Sequence, residues 1–183
     1  METAVKTSTK TKWTIDPTHS EIVFKVKHLM ITNVKGEFRK FNAAIESDGK
    51  DFTNGSIQAT IDASSIFTNE DNRDAHLKSA DFFDAANYRE LSFVGTSFKR
   101  KGEDEYELTG KLTIKEVTKD VTFAVEFGGI TKDPWGNEKA GFSLTGKINR
   151  TDFGLNWNAA LEAGGVLVSE EVKISAEVQF VKQ

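Results

Sequence analysis

Residues 21–28 read Glu21-Ile22-Val23-Phe24-Lys25-Val26-Lys27-His28, and their polarity alternates. Ile22, Phe24, Val26 and His28 share one face while Glu21, Lys25 and Lys27 share the other, a period of two that makes a half-buried β-strand. The same beat returns in Ile57-Ala59-Ile61, Leu91-Phe93-Gly95, Tyr106-Leu108-Gly110-Leu112-Ile114, Val121-Phe123-Val125-Phe127, Phe142-Leu144-Gly146-Ile148 and Val172-Ile174-Ala176-Val178-Phe180. No long amphipathic helix is available to cover these apolar faces, so the sheet must close on itself or pair with another. Gly36, Ala43, Ala59, Gly95, Gly110, Gly146 and Ala176 fall in the apolar rows, where a solid core would favour larger side chains. They imply space inside the sheet, and bulky replacements at Gly110 or Gly146 are expected to obstruct it while sparing the fold.

The strands lie between turn-forming segments. A polar arm (1–11) leads to a short strand at Trp13-Thr14-Ile15, and Asp16-Pro17-Thr18 turns the chain into the strand at 20–28. In the next run Val34, Gly36 and Phe38 alternate, but the phase shifts to Phe41, Ala43 and Ile45, which predicts a β-bulge near Arg39-Lys40. The alternation stops between Ala63 and Tyr88. There Thr68 is placed as the cap of a short helix over about 70–78, and Phe82-Phe83 must enter something apolar, so this segment reads as a lid at one end. The expected architecture is all-β: an extended eight-stranded antiparallel up-and-down β-barrel with a short helical lid. Residues 12–182 form its single domain. A barrel of eight strands encloses a lumen wide enough for side chains or one slim ligand.

Composition narrows the function. At 183 residues and net charge −4 the chain suits one domain, and its dispersed Lys and Arg argue against nucleic acid as a partner. It has no cysteine, which removes disulfides, thiolate metal sites and cysteine nucleophiles. The polar N-terminal residues lack an apolar signal region, giving an expected cytoplasmic location, or a periplasmic one if a leader has been removed. No run reaches the roughly 20 apolar residues of a membrane span. An outer-membrane barrel is equally disfavoured, because Lys25, Lys27, Lys35, Glu37, Arg39, Lys111, Lys147, Lys173 and Glu177 share the outward rows.

Several motifs then carry a resemblance. Trp13-Thr-Ile-Asp-Pro-Thr-His19-Ser20, Phe24-Lys-Val-Lys-His28, Val34-Lys-Gly36-Glu-Phe38, Arg73-Asp74-Ala-His76-Leu77, Asp81-Phe82-Phe83-Asp84, Gly110-Lys-Leu112-Thr113-Ile114 and Arg150-Thr-Asp152-Phe153-Gly154 occur in this order. Together they resemble the YceI family over about Trp13 to Val181. The resemblance implies a lipocalin-like barrel holding a long isoprenoid, such as a polyprenyl quinone, along its axis as carrier, store or sequestering protein. Two departures stand out: many members begin with a signal peptide, and the position after Tyr88, commonly proline, is Arg89.

Candidate walls of the lumen are Phe24, Val26, Phe38, Phe41, Phe93, Leu108, Leu112, Phe123, Phe142 and Leu144, with the alternative that they pack on one another as an ordinary core. A dozen tail carbons at about 0.8 kcal/mol per buried CH₂ give roughly 10 kcal/mol, against an association cost of about 4–15 kcal/mol. A long tail can therefore bind, while a short one should bind weakly. At the mouth, Arg73 or His76 could donate a hydrogen bond to a polar head, beside Leu77 and Phe82. Alternatively Arg73 and Asp74 pin the helix to the rim. His28 belongs to the inward row, as a head-group contact or a satisfied core histidine, and His19 is a local hydrogen-bonding residue.

The histidines show no paired ligand spacing, so no metal is expected. No nucleophile elbow or phosphate loop occurs, so neither a catalytic residue nor a required cofactor is assigned. An enzyme acting on a small hydrophobic substrate through Arg73, Asp74 and His76 is the competing reading, with a stress-related interaction module as a third. The expected partner is a long-chain lipid. Transient membrane contact and a homodimer covering exposed Phe82 and Phe83 are further expectations.

Overall fold

The computed structural model describes residues 9–162 and 164–183. The early strands are β1 Thr11–Ile15, β2 Glu21–His28, β3 Thr32–Phe38, β4 Phe41–Asp48, β5 Asp51–Asp62 and β6 Ile66–Phe67. A helix α1 (Asp71–Lys78) precedes β7 Glu90–Arg100, β8 Glu105–Ile114, β9 Val117–Lys132, β10 Glu138–Asn149 and β11 Val168–Lys182. The order β1-β4-β5-β7-β8-β9-β10-β11 returns to β1 through a β1–β11 pairing, which closes an eight-stranded antiparallel barrel. Closure leaves these eight strands paired on both sides, while β2, β3 and β6 continue the sheet from β11. Of the expected arm, residues 1–8 fall outside the described residues, and Thr11 already belongs to β1.

Two rungs of the barrel are broken in the middle. β1 and β2 both pair with β11, at Phe180–Lys182 and Val168–Glu177 respectively, and are separated by a turn in which the Asp16 side chain accepts from the Thr18 amide. The Asp16 backbone N–H donates to Gln179 O at 2.8 Å, so the chain stays on β11 through the interruption. β3 and β4 likewise form one rung, pairing with β2 and β1.

At Arg39-Lys40 the structure differs from the predicted bulge. Arg39 N donates to Ser65 O at 3.1 Å and Lys40 O accepts from Asp62 N at 2.9 Å, so this is a corner between two strands. On the far side of that corner β4 pairs with β5, whereas β3 pairs with β6. The phase shift is real, but it marks a change of neighbour. Register shifts within paired strands occur instead at Glu46/Asp48, Gly95/Ser97, Gly141/Phe142 and Val168/Val172.

The helix cap also differs from expectation. Glu70 caps α1, its carboxylate accepting from the Asn72 and Arg73 amides at 3.2 and 2.7 Å, while Thr68 is engaged with Asp74. A carboxylate at this position also complements the positive end of the helix dipole.

One end of the barrel is plugged by aromatic rings. Trp13 is 1% exposed and donates its indole N–H to Ser47 Oγ at 2.9 Å, and that hydroxyl donates on to Gly49 O. Around it the Trp13–Phe52, Phe52–Phe142 and Phe127–Phe142 centroids lie 5.4, 5.2 and 5.1 Å apart. These separations suit edge-to-face and offset contacts that add to burial.

Candidate functional site

Above the aromatic plug the barrel holds a cavity of about 570 Å³. Its walls include Phe24 and Val26 on β2, Phe38 on β3, Phe41 on β4, Phe93 on β7, Leu108 and Leu112 on β8, Phe123 on β9, and Phe142 and Leu144 on β10. These residues also pack on one another, with the Phe24–Phe38 and Phe93–Phe123 centroids 5.7 and 5.8 Å apart. They are core on one side and cavity wall on the other.

The inward glycines work differently from the expected vacancies. A Cβ at Gly36 would stand 2.2 Å from Phe24 Cζ, one at Gly110 2.4 Å from Phe93 Cζ, and one at Gly146 2.6 Å from Phe123 Cδ1. Each glycine seats the phenylalanine ring of a neighbouring strand against the barrel wall. The space thus lies between rings that the glycines let recede. A bulky side chain at Gly110 would also meet Val94 O at 2.5 Å, so it would not spare the fold as expected.

The mouth is built by α1, the turn after it and the segment 150–168. Arg73 lines the cavity and donates from Nε to Thr68 Oγ1 at 2.8 Å and from Nη2 to Thr68 O at 2.7 Å. Asp74, buried, accepts from the Thr68 amide at 2.8 Å and from its hydroxyl at 2.5 Å. The pair therefore ties α1 to the chain leaving β6. His76 Nε2 donates to Asp81 Oδ2 at 2.9 Å, and its ring meets Phe82 and Trp157 edge-on at 5.1 and 4.8 Å. Leu77 and Phe82 line the same space, and so does His28 at the end of β2, with no side-chain hydrogen bond among the described residues. His19 lies elsewhere, bonded to Asp16.

Arg73, Asp74 and His76 do not converge on a common point, since Asp74 faces Thr68 and His76 faces Asp81. Among the described residues no group of three or more His, Cys, Asp or Glu side chains is placed to hold a metal ion. Phe82 is buried and Phe83 packs edge-on against Phe38 at 5.7 Å, so the exposed lid that argued for a covering dimer is turned inward.

Sequence reasoning missed Arg150 and Trp157. Arg150, 3% exposed, donates from Nε to Ser169 O (2.8 Å), from Nη1 to Leu155 O (2.6 Å) and Trp157 O (2.9 Å), and from Nη2 to Val168 O (3.3 Å). Its burial lowers the guanidinium pKa, with Glu170 opposing that shift. All four acceptors are carbonyls, so the side chain straps the 150–168 segment with its charge uncancelled by a bonded carboxylate. A signal existed: two positions beyond Ile148, the inward row of β10 lands on Arg150. Trp157 had none, because it lies outside any alternating run.

The arrangement is thus a narrow apolar cavity whose charged and ionisable lining groups, Lys27, His28, Arg73, His76 and Arg150, stand at one end. Among the described residues no helix is long and apolar enough to cross a membrane. The barrel superposes on BcnA of Burkholderia cenocepacia with a TM-score of 0.78 and 26% identity, covering 90% of this chain and 98% of that one. A polyisoprenoid binding domain from Saccharophagus degradans, implicated in plant cell wall breakdown, shares the fold with a TM-score of 0.69 at 15% identity, covering 93% of this chain and 98% of that one. A UPF0312 protein of Staphylococcus aureus strain MSSA476 is 43% identical over 171 residues, 93% of this chain and 97% of the relative. The YceI-like domain model matches residues 13–180, almost the whole barrel from Trp13 to Phe180, and the chain belongs to the YceI family.

Proposed function

We propose that this protein is a non-enzymatic lipid-binding protein that holds a long-chain isoprenoid, a polyprenyl quinone or a related amphiphile, in the barrel lumen. The tail runs between the rings of Phe24, Phe38, Phe93 and Phe123, and the polar head lies at the mouth near Arg73, His76 and Arg150. The observation that carries this reading is the segregation of the lining: aromatic and aliphatic side chains along the walls, ionisable groups only at the mouth. Such a cavity gains free energy from each methylene it dehydrates and fixes orientation through a few polar groups at one end. The shared fold of the Saccharophagus polyisoprenoid binding domain supports a polyprenyl tail.

Titration with quinones that share a head group but differ in prenyl chain length tests the reading. Affinity rises with length until the cavity is full and then levels off. Equal affinity for the head group alone and for the long-chain quinone would overturn it.

A further inference from the structure

The turn between β2 and β3 joins the mouth of the cavity, and it is built against local preference. Ile31 N donates to His28 O at 3.1 Å, and the two central residues, Leu29 and Met30, have φ of 52° and 60°. This tight hairpin turn usually takes Asn or Gly, which tolerate a left-handed backbone. Here it holds large apolar side chains in water, with Leu29 41%, Met30 57% and Ile31 76% exposed.

The neighbouring loop extends the patch. Leu29 N donates to Leu167 O, Met30 Sδ lies over Gly165, and Val166 is 38% exposed. A strained apolar tip beside the cavity entrance does nothing for the barrel's own core.

Behind the tip the register gathers lysines that lie far apart in sequence. Lys147 stands opposite Lys173, Lys173 opposite Lys25, and Lys25 opposite Lys35, a row of exposed side chains across β10, β11, β2 and β3. At the usual strand spacing the row is about 14 Å wide. Like charges directly opposite one another destabilise a sheet. Within the described residues the row's ion pairing is limited to Lys147 and Glu171 at 3.8 Å. Lys25 lies four residues from Leu29, so the row stands about 13 Å behind the tip along the strand.

We propose that this end of the barrel docks on an anionic lipid bilayer, the Leu29-Met30-Ile31 tip entering the interface and the lysine row meeting the lipid phosphates. An apolar wedge backed by a basic collar has the two attractions that interfacial membrane binding requires. The docking turns the cavity mouth towards the lipid phase. It deepens the lipid-holding reading and rests on it for its purpose.

The test is flotation of the full-length protein with vesicles of phosphatidylcholine alone or of phosphatidylcholine mixed equally with phosphatidylglycerol. The expected result is binding to the mixed vesicles that weakens with added salt. Lys25→Gln combined with Lys173→Gln weakens it about thirtyfold, at about 1 kcal/mol per lysine, while leaving the melting temperature unchanged or raised. Ile31→Ser weakens it independently of salt. Absence of vesicle binding, or binding indifferent to both variants, overturns the proposal. A concentration-dependent dimer abolished by Ile31→Ser would assign the tip to a second copy and also overturn it. Flotation reads docking whether or not the cavity is loaded, and ligand titration in detergent reads loading without docking, so the two readings fail separately.

Discussion

The ring of Phe24 occupies the space above Gly36, where a Cβ would stand 2.2 Å from ring Cζ and 2.7 and 2.8 Å from its Cε atoms. Gly36→Ala therefore drives Phe24 into the lumen, and we expect a loss of about 1–3 kcal/mol of stability from overpacking together with weaker ligand binding. In a double-mutant cycle by urea denaturation, Phe24→Leu relieves part of the Gly36→Ala cost. At Gly110, where Val94 O is also within 2.5 Å, the corresponding Phe93→Leu change relieves less.

Arg150 holds four carbonyls, those of Leu155, Trp157, Val168 and Ser169, through one side chain. Arg150→Met leaves those acceptors without their charged donor, and denaturation should show a loss of about 2–4 kcal/mol. Arg150→Lys does not restore it, because an ammonium cannot reproduce the planar fork.

Trp157 lines the cavity, whereas Trp13 lies in the aromatic plug and Trp135 is on an exposed turn. Ligand binding should therefore change tryptophan fluorescence through Trp157. Trp157→Phe abolishes the change, and Trp135→Phe leaves it intact.

Asp16 holds the junction between β1 and β2 to the rest of the barrel. The Thr18 hydroxyl foremost, then His19 and Lys139, keep its carboxyl well below the ordinary carboxylate range, against the opposing effect of burial. The Lys139 ammonium lies 3.0 Å from Asp16 Oδ2. A carboxylate with a depressed folded pKa binds a proton more readily when unfolded, so its stabilisation is present above about pH 4 and fades as pH falls towards the folded value. Thermal melts from neutral to acid pH should show this loss in the native protein. Asp16→Asn lowers stability at neutral pH and flattens the acid limb.

The barrel was legible because its signal is local and repeated. Phe142-Leu144-Gly146-Ile148 announces its inward face without knowledge of any partner, and the loss of alternation after Ala63 announces the lid. What depended on neighbours was not legible. Gly36 and Gly146 read as space until the rings of Phe24 and Phe123 are seen lying over them. The phase shift at Arg39-Lys40 reads as a bulge until Ser65 and Asp62 are found bonded to it. Thr68 had the composition of a helix cap but is claimed by Asp74, leaving the cap to Glu70. Every named wall residue lines the cavity because alternation assigns a face. Arg150 was passed over although the inward row of β10 runs on to it, and Trp157 because its placement follows from how an irregular segment folds back over the mouth.

The most direct test is organic extraction of freshly purified protein followed by mass spectrometry, with a detergent-stripped sample of the same protein as control. We expect one long-chain isoprenoid lipid per protein chain, depleted in the stripped sample and in Gly36→Ala. An empty extract from protein expressed in a quinone-rich host, with no uptake of added polyprenyl quinone, would contradict it.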